Sequence, residues 1–141
     1  MVKEGHELAN HTWYDRASLR LSDRQLKVEI SLVDTILKAL GQEPKLFRPG
    51  GGFFNQKMIK TVTDLDYLLI LGSNYPHDGE RILRLITPTA WYQWSILNKV
   101  SPGDIIILHD VETAIATLEV IIPKLLEQGY KITTVSQLLL S

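Results

Sequence analysis

The sequence predicts an α/β fold built on a parallel sheet covered by helices on both faces. Two runs, Tyr67–Leu71 and Ile105–Leu108, are apolar at consecutive positions over strand length, as in strands buried on both sides. Stretches with helical spacing alternate with such runs, the pattern of βα units. Glycine- and proline-bearing turns, Pro49–Gly52 and Pro102-Gly103, punctuate the alternation.

The elements follow in order. Val2 to His6 reads like the end of a helix. Ser22 with Gln25 three residues on forms a capping-box pattern. Leu26, Ile30, Val33, Ile36, Leu37 and Leu40 continue it at helical spacing, and Gly41 stands where a helix-terminating glycine belongs. Lys45–Arg48 predicts a short strand, and Asn55 a cap for a helix reaching about Thr63. After the Tyr67–Leu71 strand comes a helix over about Thr89–Val100, then the Ile105–Leu108 strand. A long helix over about Val111–Gln128 is closed by Gly129. Lys131–Val135 predicts a last strand, with Ser136 capping a final helical turn.

The 141 residues fit a single domain over 1–141. At 45% hydrophobic and 22% charged residues, the composition is that of an ordinary globular protein. A net charge of −1 supplies no basic field for nucleic acid or an anionic membrane. With no cysteine, disulfides and cysteine-ligated zinc are excluded. No apolar run approaches the roughly 18 residues of a membrane span, and the first residues lack a basic-then-apolar leader pattern.

In parallel α/β folds chemistry collects beyond the C-terminal ends of strands. Four polar clusters stand out. In Asn10-His11-Thr12-Trp13-Tyr14-Asp15 an imidazole and a carboxylate lie four residues apart. Such a pair suits a shared metal ion, or two unrelated surface groups. Arg48-Pro49-Gly50-Gly51-Gly52 follows a strand. Its glycines permit close approach of a ligand and its guanidinium can clamp a carboxylate, or the turn is simply flexible with a solvated arginine. A phosphate-binding loop is disfavoured because no Gly-Lys-Ser/Thr follows. His77-Asp78 lies in the loop after one strand, and His109-Asp110 ends another. A histidine at a strand tip is held rigidly enough to be a general acid, or is a satisfied rim residue. The two His-Asp pairs could also suggest a metal phosphohydrolase, but there such pairs normally stand on helices.

Taken in order, GHELANHTWYD, FRPGGGFF and GDIIILHD resemble the NodB-homology polysaccharide deacetylases, and the resemblance extends to the closing GYKITTVSQLL. It implies an irregular (β/α) barrel, of which this chain is a part, and metal-dependent removal of N-acetyl or O-acetyl groups from polysaccharides such as chitin-like N-acetylglucosamine polymers. By the resemblance, His11 is a metal ligand, and Asp15 stands where the family usually has a second histidine. A branch reading NHT-x2-D, FRPG-x-GFF and GS-x-YPHD shares this aspartate. The carboxylate makes Mn²⁺ or Co²⁺ plausible beside Zn²⁺. Arg48 matches the arginine that orients the catalytic base, His109 the general acid, and Asp78 the carboxylate that tunes it. Gly51 takes the place whose backbone amide faces the oxyanion. Ile107 and Leu108 match the apolar wall for the acetyl methyl, and Trp91 suits stacking on a sugar or packing in the core.

The family's Thr-Phe-Asp-Asp-Gly, which supplies the base and a metal ligand, does not occur in this sequence. The expectation is therefore a barrel lacking its first strands, inactive alone, with an exposed gap through which it can self-associate. The competing reading is a non-catalytic remnant or carbohydrate-binding module of the same fold.

Overall fold

The computed structural model describes residues 1–42 and 45–140, with backbone only at position 84. The chain forms two compact units, Met1–Leu71 and Gly72–Ser141.

The first unit is organised around two short parallel strands, β1 (Leu46–Phe47) and β2 (Leu68–Leu69), in the register Leu46 to Leu68 and Phe47 to Leu69. On the other side of β1, Asn10 makes an isolated parallel bridge to Phe47. Its N–H donates to the Leu46 carbonyl at 2.9 Å and its carbonyl accepts from Arg48 at 3.0 Å. Helix α1 (Asp23–Ala39) begins at the predicted box, with the Gln25 N–H donating to Ser22 Oγ, and Gly41 follows it at φ 72°. Asn55 caps α2 (Gln56–Thr63) through the Met58 N–H at 2.8 Å. Leu26 and Ile30 of α1, Met58 and Val62 of α2, Phe47 and Tyr67 form the core, so the helices close over β1. The N-terminal stretch forms a 3-10 turn, Val2–Glu4.

In the second unit α4 (Thr89–Lys99) packs on α5 (Glu112–Glu127), with Tyr92, Ser95 and Ile96 buried on one and Ala114, Thr117, Ile121 and Leu125 on the other. A six-residue helix the sequence did not signal, α3 (Arg81–Ile86), precedes them, and its N-cap Glu80 makes no side-chain capping bond.

Two predicted strands are corrected. Ile105–Leu108 is extended chain with one bridge, Asn74 to Ile106, and 131–134 has no strand hydrogen bonding. The reason is visible between them. Ile105, Ile106, Leu108, Ile132 and Thr133 line one apolar groove of about 310 Å³, together with Leu118 and Ile121 of α5. The two segments line a common cleft, and neither forms a ladder with the other. The last helix, α6 (Val135–Leu139), is capped by Thr134 with Gln137 and not by Ser136.

Candidate active site

The first group of candidates grows out of the bridge between Asn10 and β1. His11 and Arg48 follow the paired residues and so emerge side by side. His11 Nδ1 lies 2.5 Å from the Arg48 carbonyl oxygen, and Arg48 Nη2 lies 3.0 Å from His11 Nε2. A carbonyl only accepts, so Nδ1 carries the proton and Nε2 presents a lone pair, which takes the guanidinium N–H. Asp15 Oδ1 stands 4.0 Å from that Nε2 on a side chain that is 91% exposed. An imidazole fixed through Nδ1–H to a carbonyl, with Nε2 directed at a nearby carboxylate, is the donor arrangement of a metal-binding histidine. The pair fits a divalent cation in donor type. Among the described residues, no group of three or more His, Cys, Asp or Glu gathers to hold one, whereas catalytic sites commonly have three protein ligands. Arg48 holds the same lone pair a cation would take.

Asn10 is fully buried and completely engaged. Its Nδ2 donates to the Ile30 carbonyl (2.9 Å) and to Tyr67 Oη (3.3 Å), and its Oδ1 accepts from Thr12 N–H (3.1 Å). Tyr67 Oη in turn donates to Asp34 Oδ1 at 2.8 Å. Burial, aided by the Asp34 carboxylate, pushes the Tyr67 phenol up to about 12 from 10.0. The folded state therefore favours the neutral phenol. Its stabilising contribution is complete below pH 10 and is lost as pH rises through about 12. In an ultraviolet tyrosinate titration one of the five tyrosines should ionise at about 12, and Tyr67→Phe should remove that step. A titration in which all tyrosines ionise together near pH 10 contradicts this.

After Arg48, Gly51 and Gly52 adopt left-handed φ of 75° and 72° in an exposed 3-10 turn. Gly50 is buried, and its N–H donates to Ser18 Oγ at 2.7 Å.

The second group lies in the second unit. Asp78 is 1% exposed and grips His109 at two points. Its Oδ2 accepts the His109 backbone N–H at 2.7 Å, and its Oδ1 lies 3.0 Å from Nδ1. With Nδ1–H committed to a carboxylate, Nε2 is the nitrogen left for chemistry. The loop carrying Asp78 encloses the ring. The Tyr75 ring centroid is 5.6 Å from that of His109, and a Cβ on Gly79 would lie 2.6 Å from the imidazole. His77, at φ 66°, has its ring 4.5 Å from that of Tyr75 at a 43° tilt, and its Nδ1 lies 2.6 Å from Glu80 Oε1. Ile107 packs over Gly72, and Leu108 lines the apolar groove. Trp91 is 41% exposed and stands edge-on to Tyr92 at 5.6 Å. No hydrogen bond or ring contact joins it to Asp78 or His109 among the described residues.

The structure thus gathers His11, Asp15 and Arg48 in one unit, and Asp78 and His109 in the other. The supporting residues Glu29, Asp34 and Tyr67 carried no sequence signal, because they read as ordinary helix-surface and strand positions.

Comparison with known proteins places the chain in a family. A family model described as polysaccharide deacetylase matches residues 1–70, essentially the first unit. The peptidoglycan-N-acetylglucosamine deacetylase of Bacillus cereus is 34% identical over 99% of this chain, which spans 66% of that protein. A solved mutant of a CE4 family pseudoenzyme with restored enzymatic activity superposes with a TM-score of 0.87 at 25% identity, covering 98% of this chain and 49% of that one. A family 4 acetyl xylan esterase from Clostridium thermocellum, in complex with a cobalt ion, superposes at 0.86 with 29% identity, covering 98% of this chain and 66% of that one. The chain therefore spans about half to two thirds of the length of these relatives. The fold class is that of the NodB-type (β/α) barrel, in part, and the chain belongs to the polysaccharide deacetylase (NodB-homology, CE4) family.

Proposed function

We propose that this chain contributes to a metal-dependent hydrolase that removes acetyl groups from amino-sugar polysaccharides such as peptidoglycan or chitin-like polymers. The observation that carries the reading is the two-point grip of the buried Asp78 on His109, which fixes one ring nitrogen and leaves the other for proton transfer. In this reading His109 acts as the doubly protonated ring: Nε2 gives its proton to the departing amine nitrogen, or to the alcohol oxygen of an ester, while Asp78 keeps the Nδ1–H and holds the ring in the orientation required. Ile107 and Leu108 offer the acetyl methyl an apolar wall, the Gly51 amide a hydrogen bond to the developing oxyanion, and Trp91 a face for a sugar ring. His11 and Asp15 would hold the divalent cation: Zn²⁺ suits the imidazole, Mn²⁺ or Co²⁺ the added carboxylate. When bound, the cation supplies Lewis-acid polarisation and an activated nucleophile. The carboxylate base and a further ligand come, in this reading, from a Thr-Phe-Asp-Asp strand, which Arg48 then orients.

The test is acetate release from an acetylated chitooligosaccharide with Zn²⁺, Mn²⁺ or Co²⁺, comparing the chain alone with one joined to a Thr-Phe-Asp-Asp strand. Activity is expected only in the joined form, by a factor of at least about 10²–10⁴, the scale of general-base assistance. Full activity in the chain alone would place the base among the residues present here, with Asp78 and Asp110 first to examine. A second reading, a non-catalytic member of the fold, is favoured by one observation: Arg48 occupies the His11 lone pair. Absence of both activity and metal binding in the joined form would support it.

A further inference from the structure

Helix α1 buries a carboxylate where its neighbours on the core face are apolar. Leu26, Ile30 and Leu37 pack inward, and Glu29, beside them, is 4% exposed. A buried carboxylate carries a desolvation penalty that an ion pair offsets only when the geometry is good. A leucine at this position would add apolar burial without that penalty, so stability gives little reason for a glutamate. Its contacts suggest another reason. Glu29 Oε1 takes the Arg16 guanidinium, and Oε2 accepts the Tyr14 backbone N–H at 3.4 Å. The two residues it holds flank Asp15 on either side. The loop is then closed on itself: Thr12 Oγ1 lies 2.5 Å from the His11 carbonyl oxygen and 2.9 Å from that of Tyr14, the Arg16 N–H donates to the Tyr14 carbonyl at 2.9 Å, and the Arg16 guanidinium lies 5.3 Å from the Tyr14 ring centroid. The Asp15 side chain is left projecting into solvent within 4.0 Å of His11 Nε2.

We infer that Glu29 is the positioning residue for Asp15: it fixes the loop on both sides of that carboxylate and so sets where the carboxylate meets the His11 lone pair. The inference rests on the proposed function only for the identity of Asp15 as a metal ligand. Groups that orient ligands without touching the cation typically change affinity by about 10–100-fold when removed.

The experiment uses the full chain, with Mn²⁺ as the probe in titration calorimetry and ¹⁵N relaxation of the metal-free protein alongside. Glu29→Gln should weaken Mn²⁺ binding by about 10–100-fold. In an Asp15→Asn background the same change should have no further effect, since Glu29 acts through Asp15. Arg16→Gln, at a half-exposed position, should act in the same direction and guards against a Glu29 variant that does not fold. In the metal-free protein the amides of residues 14–16 should gain mobility in both variants, while those of Ile30 and Phe47 do not change. Equal losses in the Asp15 and Asp15→Asn backgrounds would overturn the inference, because Glu29 would then serve the fold generally. If the parent chain binds no Mn²⁺, the proposed function loses its metal. Relaxation then decides the positioning role: unchanged order at residues 14–16 in both variants would refute it.

Discussion

His109→Ala, in the chain joined to a Thr-Phe-Asp-Asp strand, is expected to lower kcat by about 10²–10⁴ with little change in KM, as loss of an acid needed only in the transition state does. Asp78→Asn should come close to it. The carboxylate accepts both the backbone N–H and the Nδ1–H of His109, and an amide has one oxygen with which to do so. One buried donor is then unpaired, or the ring reverses to pair with the amide NH₂ in the wrong tautomer. Both changes should also destabilise the second unit, by about 1–3 kcal/mol, because each leaves a buried partner of this pair unsatisfied: the carboxylate oxygen in His109→Ala, a His109 N–H in Asp78→Asn. Acetate release and thermal melting on the same preparations separate the two effects. Undiminished kcat in His109→Ala would remove this residue from the chemistry.

Gly50→Ala is expected to be among the most disruptive single-methyl changes in the first unit. A Cβ there would overlap the Arg16 backbone carbonyl oxygen and approach Ser18 Oγ to 3.1 Å. The obstacle is backbone, so relief requires moving either the 16–18 loop or the turn after Arg48. Overpacking of this kind costs about 1–3 kcal/mol, which for a small domain lowers Tm by roughly 4–8 °C per kcal/mol. The matched control is Gly52→Ala. That position has open space around it and a φ of 72°, so only the left-handed conformation opposes the methyl, at about 1–2 kcal/mol. A larger Tm loss at Gly50, with shifted His11 ring resonances in it alone, is the expected pattern. Equal melting of the two variants would count against steric control by the Arg16 carbonyl.

The helices with side-chain caps were legible before the structure, because capping is a local matter. Ser22 with Gln25 and Asn55 with the Met58 amide need no distant partner. Thr134 with Gln137 repeats the Ser22 pattern, two residues before the Ser136 cap that the sequence predicts. Helix α3 had no such signal, since it spans only six residues and starts without a side-chain cap. The strands were less legible. Apolarity marks a segment for burial, but hydrogen bonding needs a neighbour in register. Ile105–Leu108 and 131–134 instead line a common groove without forming a ladder. Among the candidate residues, His11, Arg48 and His109 stood out through their motifs. Their supports did not. Glu29, Tyr67 and Gly79 act through contacts 13 to 57 residues away in sequence, a range no local pattern reports.

Among the described residues, three other than glycine adopt left-handed backbone angles: Thr12, Asp66 and His77. Asp66 belongs to a residue type that tolerates the conformation and sits in a plain turn before β2. Thr12 and His77 are a β-branched residue and a bulky ring, and each adjoins a group with proposed chemistry, His11 and Asp78. Strain of this kind amounts to about 1–3 kcal/mol per residue and persists only where the surroundings enforce it. Directed evolution of this chain for heat resistance alone would therefore favour glycine or asparagine at positions 12 and 77. Each such gain would relax the backbone next to His11 or Asp78, so thermal selection and catalytic selection would pull these two positions in opposite directions.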